Sequence, residues 1–289
     1  LNDDEYEYEE VADPVLAVAE TTDPAASTLS DPPGGGEPID DWAFVVRLFG
    51  PIEIHTADGI PVAFGRSKSE ELVVWMAEHR GRSTRSAART ALWDLDVRDA
   101  TFSNVVSDAR RALARAVQPP EGQEWIGRTL TEQLPLHPGV VSDAQLIERL
   151  RDRAAADPSR AVESLQEALR WIRGNPFESC TYLWPDAEGI TSNLVILATG
   201  AAIQLAELAL ERGDVELAFW ATEQGLRVLP GHEQLVAIRM RTHHAMGSLA
   251  GVRVEWESYE RALRADAWSD GEPSPMLAGL RRELLSGAA

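Results

Sequence analysis

The sequence predicts a mainly α protein in two parts: a winged helix-turn-helix of α and β elements, then an all-α array of paired helices of tetratricopeptide type. Three observations predict it. Residues 85–117 read as a short helix ending in Ala91-Leu92-Trp93, an acidic turn, and a long amphipathic helix with Arg110 and Arg111 on its polar side, the layout of a helix-turn-helix. Alternating apolar and polar residues on both flanks of that motif read as strands. Beyond residue 142 helix-breaking turns recur, and 34 residues separate Gly213 from Gly247, the period at which tetratricopeptide helix pairs stack to share a core.

Residues 1–41 stand apart. They carry 13 acids and no Lys or Arg, with scattered prolines and Gly34-Gly35-Gly36, and offer too few apolar side chains to offset the entropy of ordering. The expectation is a disordered acidic linker. Tyr6 and Tyr8, set among carboxylates, read either as part of a plain tether or as a short partner-binding motif. A tether of this charge also competes with nucleic acid for nearby arginines.

From Trp42 the pattern changes. Residues 45–51 and 52–55 read as two strands, with Asp58-Gly59 as a turn into residues 61–64. A helix runs through Glu70, Leu72, Val73, Trp75, Met76 and His79, capped by Ser67 or Ser69 and ended by Gly81. After the helix-turn-helix and Pro119-Pro120, residues 124–129 and 130–136 alternate and pair as a hairpin wing with Arg128 near its tip. The winged helix therefore spans residues 42–141.

The second part, 142–289, opens with amphipathic helices over 144–155 and 160–173, the latter broken at Gly174-Asn175-Pro176. Further helices follow over 186–212, 215–229, 233–246 and 249–265, separated by Gly213-Asp214, Pro230-Gly231 and Gly247-Ser248. The repeat register fades past Gly251, so two repeats are marked. The apolar run 194–210 contains Gln204 and Glu207 and is short for a membrane span, so it reads as a buried helix.

With 289 residues the chain is long enough for two cores of ordinary size. Its net charge of −20 argues against nucleic acid only if spread evenly, because charge acts within about a Debye length of ~8–10 Å. It is not spread evenly. Segment 42–145 carries 13 acids and 12 bases, segment 146–289 carries 21 and 15, and residues 80–115 hold eight arginines against four aspartates. Lys68 is the only lysine, a bias that high-GC coding and bidentate phosphate contact both produce. Cys180 is the only cysteine, which excludes an intramolecular disulfide and fits a reducing compartment. The chain begins at Leu1 without an initiator methionine or signal peptide, the expectation being a C-terminal piece of a longer protein.

At 100° per residue, Phe102, Val105, Val106, Ala109, Leu113 and Ala116 fall in one arc of the long helix and face a core. Asn104, Ser107, Asp108, Arg111 and Arg115 then point outward. Amide and guanidinium groups suit base edges and phosphates in a DNA major groove, and the same pattern also suits a plain solvated face.

Residues 46–50 (VRLFG), Ala91-Leu92-Trp93, residues 101–113 (TFSNVVSDARRAL), residues 256–264 (WESYERALR) and residues 272–275 (EPSP) occur in an order that resembles actinobacterial antibiotic-regulatory-type transcriptional activators. That family joins an OmpR-like winged helix to a bacterial transcriptional activator domain of tetratricopeptide type, and the resemblance covers roughly residues 42–286. It implies dimeric DNA binding on direct repeats, the second helix of the motif in the major groove, the wing near the minor groove, and contact with RNA polymerase. The DNA contacts would fall to Ser103, Asn104, Ser107, Arg110 and Arg111, with Arg128 on the wing and Arg115 on the outward face.

Two positions depart from the family. Residue 108 is Asp where Arg is usual, and residue 103 is Ser where a longer polar side chain such as Gln is common. Asp108 stands three residues before Arg111, placed either to pair with that guanidinium or to repel phosphate. Similar modules also close larger actinobacterial proteins with LysM segments and membrane spans. The alternative reading is therefore a degenerate winged helix and repeat domain acting as a protein-interaction module at the end of such a protein. Either way the domains are expected in the cytoplasm.

An enzyme is not expected, nor a cofactor, metal or small-molecule substrate. His243 and His244 are adjacent and project about 100° apart on a helix, unlike an i,i+4 metal pair. His55, His79, His137 and His232 show no ligand spacing. The glycines at 34–36 follow no strand, and Cys180 has no evident His partner. Trp171, Trp184, Trp220 and Trp256 read as helix-pair fillers before groove-lining residues. The expected partners are DNA and a protein such as RNA polymerase or a second copy of the chain.

Overall fold

The computed structural model describes residues 42–93, 95–265 and 271–286. The acidic linker expected over residues 1–41 lies outside the described residues.

The chain enters an antiparallel pair, β1 (Phe44–Arg47) and β2 (Glu53–Thr56), with Val45 opposite His55. Phe44, Val45 and Val46 are all buried, and in β2 Ile54 and Thr56 turn inward while Glu53 and His55 turn out. Gly59, at φ +78°, closes the expected turn. The stretch 61–64 adds only a bridge from Pro61 to His55, since proline has no N–H for a ladder. A third strand, β3 (Val140–Ser142), lies parallel to β1 on its other side, giving the order β2-β1-β3. Three residues are too few for an alternation, so periodicity did not show β3.

Three helices follow, α1 (Ser67–Glu78) packing on this sheet and α2 (Arg85–Leu92) and α3 (Asp99–Ala116) packing on α1. Neither serine expected to cap α1 does so. Arg66 holds the N-cap position without a side-chain bond, and Ser69 is buried, donating to Val105 O on α3 at 3.2 Å. Thr84 caps α2 by accepting from Ala87 N–H. Lys68 binds Glu71 at 2.7 Å and the Leu92 carbonyl that ends α2, with Trp93 beneath its ammonium. The lone lysine thus ties α1 to the helix-turn-helix turn.

The wing is looser than the predicted hairpin. Its pairing comes down to an Ile126–Leu136 bridge, with Gly127 N–H on Pro135 O and His137 N–H on Trp125 O, each at 2.9 Å. Pro135 interrupts any longer ladder.

Ser142 ends β3 and caps the next helix in a reciprocal capping box with Gln145, so sheet and helical half are joined without a linker. The predicted boundary at 141/142 falls inside β3. Helices α4 (Asp143–Ala156) and α5 (Ala161–Arg170) come first, then the short α6 (Trp184–Ala187) and the long α7 (Ile190–Glu211). The single helix predicted over 186–212 is divided at Gly189, whose φ of +72° is left-handed. Helices α8 (Val215–Val228), α9 (Glu233–Ala245) and α10 (Leu249–Ala265) follow their predicted spans closely. Gly213 and Gly247, 34 residues apart, both turn the chain with left-handed φ. A last helix, α11 (Pro275–Ser286), was not predicted; Ser274 Oγ accepts from Leu277 N–H at its start.

One buried cluster runs from Phe44 through α1, α3, α4 and α5 to Ile238, and a smaller one joins α9, α10 and α11 around Met240, Trp256 and Leu277. Residues 38–289 form one compact unit. Among the described residues, α7 is long and apolar enough to cross a membrane, and half of its most apolar stretch is buried inside the protein, against α4, α5, α8 and α9. Trp184 and Trp256 are core residues, and Trp220 packs against the core.

Candidate nucleic-acid interface

Helix α3 buries Phe102, Val105, Val106, Ala109, Ala112 and Leu113. Ala116, predicted inward, is exposed because the chain leaves the helix at Val117 before another turn can cover it. The opposite stripe runs along Asn104, Ser107, Arg111 and Arg115, three or four residues apart and so on one helix face. Asn104 and Arg115 are exposed, Arg111 keeps 68% of its side chain in solvent, and Ser107 is half-buried. Arg115 makes no ion pair among the described residues.

Asp108 is not on the outward face as predicted. Only 14% of its side chain is exposed, because the chain leading into α1 crosses over it. A Cβ on Gly65 would stand 3.1 Å from Asp108 Oδ1, so a larger residue there would crowd the carboxylate. Asp108 Oδ1 lies 3.6 Å from Arg111, while Oδ2 is buried without a hydrogen-bond partner.

Arg110 does not present an open cation either. Only 18% of its side chain is exposed, and it donates to the wing carbonyls of Ile126 at 2.7 Å and Gly127 at 3.2 Å. Burial lowers its pKa, opposed by Glu124 at 3.5 Å. Its guanidinium therefore fastens the wing to α3. Arg128 sits on the exposed stretch beyond, 75% open, with Glu124 at 3.0 Å. Leu130 at the tip is fully exposed.

Ser103 is half-buried and accepts from Arg85 at 3.0 Å, whose guanidinium lies over the Phe102 ring at 5.1 Å. Sequence reading missed Arg85, since nothing local links the first residue of α2 to a serine on α3. Arg85, Ser103, Ser107, Arg110, Arg128 and Thr129 line a cleft of about 200 Å³ between α3 and the wing. The acidic turn before α3 is answered by Arg89, which bonds Asp96 and Asp99, so those carboxylates face a cation of their own. Arg82 and Arg98 add exposed guanidinium groups at the ends of the α1–α2 and α2–α3 turns.

The helical half reaches the winged helix from behind. Asp143, fully buried, accepts from Leu48 N–H and Phe49 N–H at 2.9–3.1 Å. Phe177 N–H donates to Leu48 O, and His79 on α1 meets Glu188 at 2.7 Å. These contacts leave the α3 stripe uncovered.

No group of His, Cys, Asp and Glu among the described residues is arranged to hold a metal ion. His243 instead bonds Glu255, which Arg239 grips with two bonds of 2.7 and 2.8 Å. Burial pushes the Cys180 thiol up, away from a reactive thiolate. A concavity of about 520 Å³ opens between Trp75, Arg82, Thr90 and Glu188, with mostly apolar walls.

No family model matches the chain, and no curated protein is similar to it. Among solved structures, the chain is similar to Mycobacterium tuberculosis EmbR in complex with a low-affinity phosphopeptide, with 22% identity and a TM-score of 0.57. The match covers 85% of this chain, which spans 65% of the EmbR chain. The shared feature is the fold, a winged helix followed by an all-helical domain.

Proposed function

We propose that this chain is a DNA-binding transcription regulator, with α3 in the major groove and the wing beside the adjacent minor groove. The observation that carries the reading is the uncovered stripe of Asn104, Ser107, Arg111 and Arg115, continued by Arg128 across the cleft. Arg111, Arg115 and Arg128 contact phosphates, Asn104 and Ser107 probe base edges, and Ser103 is held by Arg85 at the floor of the cleft. Arg110 serves by fixing the wing. The helical half, of tetratricopeptide type, dimerises or holds a second protein such as RNA polymerase. The protein acts without a cofactor, as a regulator and not an enzyme, in the cytoplasm. The resemblance to antibiotic-regulatory-type activators supports this reading, as does the fold shared with EmbR.

Fluorescence polarisation on a random duplex tests it. Three arginines on phosphate give a slope of about −3 in log affinity against log salt, at ~0.9 per contact. Changing Arg111, Arg115 and Arg128 together to Ala should flatten that slope. A chain that does not bind duplex at low salt, with its acidic residues 1–41 neutralised, overturns the proposal.

A second reading has its own observation: Asp108 pairs with Arg111 and Glu124 with Arg128, so two of the three cations are partly countered. In this reading the winged helix is a docking surface at the end of a larger, LysM-containing or membrane-anchored protein. It requires a protein partner whose capture survives Arg111→Ala.

A further inference from the structure

The concavity of about 520 Å³ between α1, α2 and Glu188 shares no residue with the α3 stripe or the wing, and the function proposed above leaves it unused. Its size falls within the range of about 300–1,000 Å³ in which proteins hold small molecules. Trp75 on α1 and His79 at its end, both almost wholly buried, form the base. Their rings stack with centroids 4.3 Å and planes 14° apart, and His79 also meets the edge of Trp184 at 5.6 Å. A base packed in this way is in place before any ligand arrives, so little ordering is left to the binding step.

The facing wall is α2. Ser86, Ala87, Thr90 and Ala91 lie three or four residues apart or side by side and share one face of it. Ser86, Ala87 and Thr90 are exposed, because α2 buries only Ala88 and Leu92. The charges of the wall are unequally engaged. Glu188, arriving from the helical half, has its Oε2 held by His79 at 2.7 Å. Arg82, exposed in the turn between α1 and α2, makes no side-chain hydrogen bond or ion pair among the described residues. The concavity thus offers one uncommitted guanidinium and two hydroxyls beside aromatic and methyl surface. A guanidinium pairs a carboxylate through two parallel N–H donors, and the apolar walls suit a flat hydrocarbon frame.

We propose that this concavity is a binding site for a small amphipathic carboxylic acid, with its apolar frame against Trp75, Ala87 and Ala91 and its carboxylate on Arg82. The occupant touches α2 of the winged helix and Glu188 of the helical half at once, so it braces one against the other. It also bears on a helix whose Arg85 holds Ser103 at 3.0 Å, on the floor of the cleft between α3 and the wing. The site does not depend on DNA binding, since none of its side chains belongs to the α3 stripe.

The test titrates 2-naphthoate into the full chain by calorimetry, with 2-naphthylmethylammonium as the same frame carrying the opposite charge. Naphthoate should bind with a dissociation constant on the order of 1 mM or tighter, and the ammonium about tenfold more weakly. Arg82→Gln should weaken naphthoate about tenfold, the scale of a charge-assisted hydrogen bond, and Arg82→Lys should restore part of the loss. Ala87→Phe together with Thr90→Phe, both at exposed positions of α2, fills the space and should abolish binding. If that filled chain melts early, Arg82→Gln, in an exposed turn, decides alone. Failure of the native chain to take up naphthoate saturably overturns the inference. So does uptake that is unchanged in either folded variant, or equal uptake of the ammonium. Each outcome is read without duplex, so it stands whether or not the chain binds DNA.

Discussion

Asp143, the first residue of α4, grips the backbone of Leu48 at the end of β1 with both carboxylate oxygens, at 3.0 and 2.9 Å. Phe49 N–H adds a third bond at 3.1 Å. The carboxylate is fully buried, so these donors have no water to fall back on. Asp143→Ala should therefore cost about 2–4 kcal/mol by leaving two buried N–H groups unpaired. Asp143→Asn should cost less, because its amide oxygen still accepts. Urea unfolding measures both. Equal loss in the two variants would show that the charge, not the acceptor, holds the junction.

The same junction makes stability depend on pH. Burial raises Asp143 to about 6 and Glu78 to about 7, and the nearby Asp143 carboxylate adds to the rise at Glu78. Glu78 Oε1 is buried without a hydrogen-bond partner. Both groups hold protons in the folded state that the unfolded chain releases near pH 4. The folded state thus binds more protons between about pH 4 and pH 7, and stability falls as pH rises through that window. The loss is on the order of 3 kcal/mol for each group. Melting temperatures at pH 5.5 and 8 should show it, and Glu78→Gln should flatten the difference. A melting temperature that rises across that interval in the native chain would contradict the assignment.

Asp108 partly offsets the charge of Arg111, its Oδ1 lying 3.6 Å from the guanidinium. Asp108→Asn removes a carboxylate whose Oδ2 has no hydrogen-bond partner, so little of the fold depends on its ionisation. It also frees Arg111 from an intrahelical pair of about 0.3–0.5 kcal/mol. If α3 lies in a major groove, duplex affinity should rise about three- to tenfold, since one repulsive charge leaves and one cation is released. Unchanged affinity, with melting behaviour also unchanged, would place Arg111 away from the phosphates.

How far these relationships were legible in the sequence follows from whether their partners are local. The core arc of α3 was readable because Phe102, Val105, Val106, Ala109 and Leu113 repeat at helical spacing, and the turns at Gly213 and Gly247 because a left-handed φ selects glycine. Strand β3 was not readable, since its three residues are defined by β1, nearly a hundred positions earlier. The cover over Asp108 comes from Gly65 and the cover over Arg110 from the wing, so helical periodicity alone left both facing out. Gly225, mid-helix in α8, reads as a flaw in a helix until the fold shows that a Cβ there would stand 2.8 Å from that of Ala202 on α7. Of the candidate interface, Asn104, Ser107, Arg111, Arg115 and Arg128 were placed by pattern and resemblance. Arg85 needed the tertiary structure.

Arg110 separates two roles that a loss of DNA binding alone would confuse. Its two bonds to Ile126 O and Gly127 O, at 18% side-chain exposure, make it the fastener of a wing held by little regular pairing. Arg110→Ala should free those carbonyls and cost the wing about 1–3 kcal/mol, within the range for hydrogen bonds to a charged group. Amide exchange over residues 124–137 should then speed up by roughly tenfold or more, since each 1.4 kcal/mol of local opening is a factor of ten. Exchange in α4–α11 should stay as it was. Arg111→Ala is the control: its side chain is solvent-facing, so it should leave wing exchange unchanged while lowering any duplex affinity. If Arg110→Ala weakens duplex binding without quickening exchange in the wing, the guanidinium meets phosphate directly and its place as a fastener is wrong.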